Sequence, residues 1–412
     1  MNGPGVLRFS HGDVLEGNFL GQWTDGVKVS GVLRPHHTPP SLHRCVKKYW
    51  QQTDNKWRSA FDHCRQQLGM TKIKDPSQHK VWECLGSALQ AEREAVQYFQ
   101  RPCDGLDGLE IPPIAHSDNC LNWENYCTIK NYLHKAFACP LHPLGRLVGC
   151  LEDAFTDSYQ EEVSHKLLLN AAVEELKSFN QRLYQIVLAL FPILPEEGDL
   201  VDLQVNHTNT NTQTQSISGY SLVQRWLLTP QIYSLVHHFY LINNQERDQQ
   251  YQSRLYNWNQ HADLPLMSFL EVNTNFWASD ISSISDRGSF YEGGKSAFKE
   301  AIQALQQIPT HFAPTKKLHS AVTCWSLVRE LFSQKIKKGS AGADEMFPAF
   351  LFVVVRANIS HLGAEINLIE DLLDPLLSNG SLGYMLVSLK ACYEQILTEK
   401  REPARRNINM LI

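Results

Sequence analysis

The chain is 412 residues long, and at about 150 residues per domain this implies two to four folding units rather than one. With 43% hydrophobic, 10% aromatic and 20% charged residues, it has the apolar mass for a core and no charge excess that would keep it unfolded. A formal net charge of -5 lacks the basic field that displaces counterions from nucleic acid, so no nucleic-acid partner is expected.

Residues 1–34 are glycine-punctuated, with Gly12, Gly17, Gly21, Gly26 and Gly31 separated by short apolar stretches. That spacing predicts a β-hairpin segment, with strands such as Val6–Phe9 and Val14–Phe19 joined by glycine-centred turns. The start, Met1 to Val14, lacks the basic-then-apolar order of a signal peptide. Pro35, Pro39 and Pro40 then close the segment as a linker, Arg34 to Ser41, because proline cannot continue a sheet ladder.

From residue 41 to 195 the pattern turns helical. Ala172, Leu176, Phe179, Leu183, Ile186 and Leu190 recur every three or four positions, which puts them on one stripe of a helix that Pro192 ends. Residues 196–217 contain the polar run Asn206–Gln215 and read as a flexible loop and domain boundary. Supporting helices are expected over 218–254, a second helical unit over 255–401 and a tail over 402–412. Within that unit, Phe298, Ile302, Leu305 and Ile308 mark one helix. Leu318, Val322, Trp325, Val328 and Phe332 mark another, which opens at Pro314-Thr315.

The longest apolar runs, Ile186–Leu194 and Phe347–Val355, fall short of the roughly 20 residues a membrane span needs, so a soluble chain without a transmembrane segment is expected. Ten cysteines scattered along the chain fit a reducing, cytoplasmic setting better than a disulfide framework. In that setting the sequons at Asn206, Asn358 and Asn379 carry no meaning.

Most chemical motifs fail on spacing. Gly294-Lys295-Ser296 ends like a phosphate-binding loop, but the glycine needed five positions earlier is Ser289. Cys120, Cys127, His134, Cys139 and His142 carry metal-compatible atoms at spacings that match no common finger, so no metal and no cofactor is expected. The pairs His36-His37 and His237-His238 read as a linker surface and a helix face. The stretch Gly342 to Asn358 is the informative one. Its continuous apolar run fits a buried strand or a buried helix, and acidic residues at its front with Arg356 at its back favour the helix. Asp344 is then either an N-terminal cap or a solvent-facing carboxylate held at a helix end.

Here the sequence resembles the Vps-nine domain, a guanine nucleotide exchange module acting on early-endosomal Rab GTPases. The resemblance rests on an ordered set: Ala313-Pro314-Thr-Lys-Lys-Leu318, Ala343-Asp344-x-x-x-Pro348, Ala357-Asn358, Ile366-x-x-Ile369, and Gly383-Tyr384-x-Leu386-x-Ser-Leu389 followed by Ala391. Within the family it is most similar to the alsin C-terminal-like group. Gly12-Asp13-x-Leu15-Glu16-Gly17-x-Phe19 resembles a MORN repeat. Such repeats stack in arrays, so the chain is expected to begin inside one and to be a shortened form of a longer product.

The resemblance implies a mostly α fold, a helical bundle plus a Vps-nine-type helical domain behind a short MORN-like hairpin. It implies a GTPase regulator, not a hydrolase or transferase, that accelerates nucleotide release from a Rab-five-class GTPase. Asp344 and Tyr384 would carry the activity, the first as an acidic finger toward the GTPase's phosphate site and the second against its switch region. Phe347, Pro348, Leu351, Asn358 and Val387 would form the GTPase-binding surface. The chain departs from the family at Val387 (usually threonine), Ile359 (proline), Glu365 (asparagine) and Ser381 (glutamate), so weak exchange is expected. Peripheral placement on early endosomes, homo-oligomers and hetero-oligomers with alsin are further implications. The competing expectation is a non-catalytic scaffold that binds a Rab or alsin and assembles oligomers through residues 41–195.

Overall fold

The computed structural model describes residues 3–8, 14–24, 27–35, 42–70, 78–98, 109, 112, 121–160, 168–206, 212–273, 298–335, 342–401 and 403, with backbone alone over the first 52. Cys120, His36-His37, Gly294-Lys295-Ser296 and nearly all of the 402–412 tail lie outside the described residues. The fold is mostly α-helical, and the chain divides into two compact units, Met1–Phe239 and Tyr240–Ile412.

The first unit begins with a three-stranded antiparallel meander, β1 (Gly3–Arg8), β2 (Val14–Thr24) and β3 (Val27–Pro35), in the order β1-β2-β3. Pro35 pairs with Gly17 at the end of the ladder, where its missing N–H costs no internal bond. Helices α1 (Leu42–Gln67), α2 (Gln78–Tyr98), α3 (Trp123–Ala138), α4 (Pro143–Tyr159) and α5 (Leu168–Leu190) follow. Helix α5 buries the stripe read from the sequence, Ala172 through Leu190. Just past its end, Phe191 joins Trp82 and Tyr132 in an edge-to-face cluster, and the Trp82 indole N–H donates to the Leu190 carbonyl. The end of the helix is thereby both packed and capped.

The segment expected as a flexible loop contains two strands instead, β4 (Leu200–Asn206) and β5 (Thr212–Ser218), paired antiparallel. Gln204, Gln215 and Ser216 are exposed, while Leu203 and Ile217 are buried, as two faces of a pleated pair require. A low apolar count hid an alternating pattern. Helix α6 (Gly219–Leu227) follows directly, capped by the Ser218 hydroxyl.

The His237-His238 pair sits on α7 (Pro230–Asn259), which continues into the second unit. There α7 buries Tyr240, Asn244, Asp248, Tyr251, Leu255 and Trp258, spaced three or four apart on one stripe. Helices α8 (Asp263–Phe269), α9 (Lys299–Leu305), α10 (Pro314–Lys335), α11 (Ala343–Ala357), α12 (Leu362–Leu372) and α13 (Ser381–Thr398) complete the unit around one apolar core. The apolar run of α11 is a helix, and Met346, Ala349–Val355 and Ala357 are all buried. A helix apolar on every side belongs at the centre of a core.

A polar ladder joins α7 to α12. The Tyr240 hydroxyl donates to Asp371, the Asn367 amide to Asn244, and the backbone N–H groups of Gly363 and Ala364 to Asp248. Four-residue steps along α7 thus meet opposite steps along α12, as antiparallel helices require. Asp248 also accepts from the Tyr393 hydroxyl at 2.8 Å. Gly363 has no freedom here, since a Cβ would lie 2.4 Å from both Asp248 Oδ1 and the Tyr393 hydroxyl.

No single helix among the described residues is long and apolar enough to cross a membrane; α11 from Asp344 and α12 reach that composition only as a pair bent by 115°.

Candidate functional site

Helix α11 is most open to solvent in its first turns. Asp344 and Glu345 are exposed, Phe347 and Pro348 are half-buried, and from Ala349 to Val355 the helix is enclosed. The rise of an α-helix puts Asp344 about 7 Å beyond that enclosed segment. Gly342 is the N-cap and supplies no side-chain bond, and Asp344 makes no hydrogen bond or ion pair among the described residues. Of the two readings of Asp344, the structure thus has the exposed carboxylate rather than the cap.

Pro348 explains part of this geometry. Lacking an N–H, it cannot bond the carbonyl of Asp344 four residues earlier, and its ring crowds that carbonyl. The turn carrying Asp344 and Glu345 is tied through the Gly342 carbonyl, which accepts from the N–H groups of Glu345 and Met346. The positive end of the helix dipole favours a carboxylate at this position.

The far end of α11 is anchored. Arg356 donates to Asp263, Asn259 and the His261 carbonyl, and its guanidinium lies over the Phe352 ring. Its place near the helix C-terminus also suits the dipole, as the sequence suggested. Asn358 ends the helix in a left-handed conformation at φ 50°, a role asparagine fills readily.

Tyr384 and Val387 lie one turn apart on α13, 46% and 66% exposed, among the most exposed large apolar side chains described. Tyr384 meets Trp325 of α10 edge to face at 5.5 Å, and Trp325 meets Phe350 of α11 edge to face at 5.2 Å. Three rings therefore connect the surface of α13 to α11, one turn below Phe347 and two below Asp344.

The residues expected to touch a GTPase thus separate. Asp344, Phe347 and Pro348 share the exposed start of α11, and the ring series links that helix to Tyr384 and Val387. Leu351 is 1% exposed, so it packs α11 from within and lines no surface. Asn358 is exposed but lies about 21 Å along the helix axis from Asp344, where it terminates α11.

Two further features went unread in the sequence. Glu365, which looked like a lost polar support, is buried with Lys317 in an ion pair at 2.6 Å, and Lys317 also donates to the Ile308 carbonyl. Burial pulls the Lys317 ammonium below the usual lysine range, and Glu365 opposes that shift. Trp325 carried only a core assignment, with no signal of its place beneath Tyr384. Among the described residues there is no cluster of three metal-ligating side chains. His142 instead caps α4, its Nδ1 accepting from the Leu144 N–H and its Nε2 bonded to the Tyr132 hydroxyl.

Comparison with known proteins matches residues 298–401, helices α9 to α13, to the vacuolar sorting protein 9 (VPS9) domain. Residues 111–237 match the helical array domain of alsin. Alsin of Mus musculus is 33% identical over 97% of this chain, and alsin of Homo sapiens 32% identical over 97%. The ALS2 C-terminal-like protein of Homo sapiens is 26% identical over 96%. The chain spans 26% of the length of these alsins and 42% of the ALS2 C-terminal-like protein. It is therefore a homologue of alsin and of ALS2 C-terminal-like protein, with an alsin helical array domain followed by a VPS9 domain.

Proposed function

We propose that the chain is a guanine nucleotide exchange factor for small GTPases of the Rab-five class, of modest rate, working through Asp344. One observation carries this reading: an exposed carboxylate, unpaired among the described residues, at the emergent tip of a helix whose middle is enclosed in the core. A small GTPase holds its nucleotide through magnesium and the lysine of its phosphate loop. A carboxylate fixed to a rigid support pairs with that lysine in place of a phosphate oxygen and repels the departing nucleotide. Phe347, Pro348, Tyr384 and Val387 supply the apolar contact that brings the switch regions within reach, so burial gives affinity and charge gives exchange.

A factor that binds the empty GTPase about a thousandfold better than the loaded one has a coupling of about 4 kcal/mol. One desolvated ion pair and a few buried side chains reach that size. The accompanying proposals are peripheral recruitment to early endosomes by protein partners, a role in endosome dynamics, and homo-oligomers or hetero-oligomers with alsin. The amino-terminal strands β1 to β3 would be a MORN-like repeat. Release of a fluorescent guanine nucleotide from a purified Rab-five-class GTPase is expected to accelerate with this chain and to return to the GTPase's own rate with Asp344→Ala. Unchanged binding of the GTPase with no acceleration by the wild-type chain would favour the scaffold and sink the exchange reading.

A further inference from the structure

Tyr384 stands on a fixed backbone with its side chain about half exposed. A Cβ at Gly383 would lie 1.7 Å from the Ser378 carbonyl oxygen, so the start of α13 is pressed against the 3₁₀ turn Pro375–Asn379. The Tyr384 N–H donates to the Gly380 carbonyl, and its own carbonyl accepts from the Ser388 hydroxyl. The Tyr384 hydroxyl has no hydrogen-bond partner among the described residues, and the ring is 46% exposed. The aromatic partner of this ring among the described residues is Trp325, whose ring plane stands at 81° to it.

Trp325 is in turn fixed from below. It meets Phe350, fully buried in α11, at 72°, and its neighbours Ala321, Cys324 and Val328 on α10 are buried. An edge-to-face arrangement has a preferred angle, because the positive rim of one ring faces the negative face of the other. A ring clamped at its base therefore sets the angle of a ring free at its tip.

We propose that Trp325 is a positioning residue of the exchange site, holding the Tyr384 ring at the angle that receives the GTPase's switch region. The inference rests on the exchange reading above and adds a residue of α10, which carries none of the proposed contact residues. Trp325 acts through Tyr384, so its contribution depends on that ring being present. It also favours a flat apolar partner group over a charged one, because the surface it supports ends in Tyr384 and Val387.

The test is a double-mutant cycle in the nucleotide-release assay with the full chain. Trp325→Leu, which keeps an apolar side chain but removes the ring edge, is expected to lower kcat/KM about fivefold, the size of one aromatic pair. Trp325→Phe, which restores a ring edge, is expected to stay within about twofold of wild type by the same measure. Trp325→Leu in a Tyr384→Ala background is expected to add no further loss. Additive losses, or a Trp325→Phe variant as impaired as Trp325→Leu at equal melting temperature, would overturn the positioning role while leaving the exchange reading intact. A wild-type chain that does not accelerate release overturns the exchange reading and this inference with it.

Discussion

Removing the Asp248 carboxylate is expected to weaken the carboxy-terminal unit more than any surface change. Asp248 is 3% exposed and accepts three hydrogen bonds, from the Gly363 N–H at 3.0 Å, the Ala364 N–H at 3.2 Å and the Tyr393 hydroxyl at 2.8 Å. The two backbone donors belong to the first turn of α12, where no intrahelical carbonyl can satisfy them. Asp248→Ala strands all three, and a buried donor left unpaired costs about 1–3 kcal/mol. Allowing for water entering the space, the total is about 3–5 kcal/mol, which lowers the melting temperature of a unit this size by about 10 °C. Asp248→Asn keeps one acceptor oxygen and should cost about half as much. Thermal unfolding of the full chain, with deuterium uptake at the start of α12, reads both effects. Lys390→Ala is the control, since its pair with Glu370 is about half exposed and worth under about 1 kcal/mol. An Asp248→Ala chain that melts like the control, with α12 amides still protected, would refute the view that this carboxylate fastens α12 to α7.

The buried pair gives a test of sign. Lys317→Met removes the buried cation from beside Glu365 and should cost about 3–5 kcal/mol by chemical denaturation, whereas Lys317→Met with Glu365→Leu should recover most of it. In the first unit, burial and the nearby Arg146 push His142 down to about 3, so the folded unit holds it neutral. The stability that depends on a neutral His142 is then fully present above pH 6.5 and is lost progressively as pH falls from there toward 3, because the unfolded chain binds the proton first. His142→Asn, which keeps a capping oxygen, should flatten that acid-side loss in melting temperatures measured from pH 7 to 4, and an unchanged slope would remove His142 as its cause. Val387→Thr returns to the site the hydroxyl that the family usually has there, and should raise nucleotide release about threefold, the net size of one hydrogen bond; an unchanged rate would show that the missing hydroxyl does not limit exchange.

Much of the helical frame was legible because its signal is local. The stripe of α5, the Pro314 entry of α10 and the dipole-matched charges of α11 each sit within one element. The β4–β5 hairpin was not legible, since two buried residues among threonines and glutamines give too little apolar contrast to separate a strand from a loop. At the site, the sequence placed Asp344 at the front of α11 but left cap and exposed carboxylate both open, because which residue precedes the first turn depends on where the helix starts, and it starts after Gly342. Leu351 was misplaced because position on a helix face does not reveal how far the core climbs that helix. Asn358 belongs to the same motif in sequence but to the opposite end of α11 in space. Trp325, Asp248 and the Lys317–Glu365 pair depend on contacts between helices that no spacing rule encodes.

In the exchange mechanism proposed for this chain, the charge of residue 344, and not merely its shape, drives nucleotide release. Asp344→Asn removes that charge while leaving size, helix entry and the apolar surface of Phe347, Tyr384 and Val387 unaltered. Measured against a Rab-five-class GTPase, the asparagine variant should bind the loaded GTPase as the wild-type chain does and release its nucleotide at the GTPase's own rate. Release at the wild-type rate by Asp344→Asn would contradict the mechanism outright.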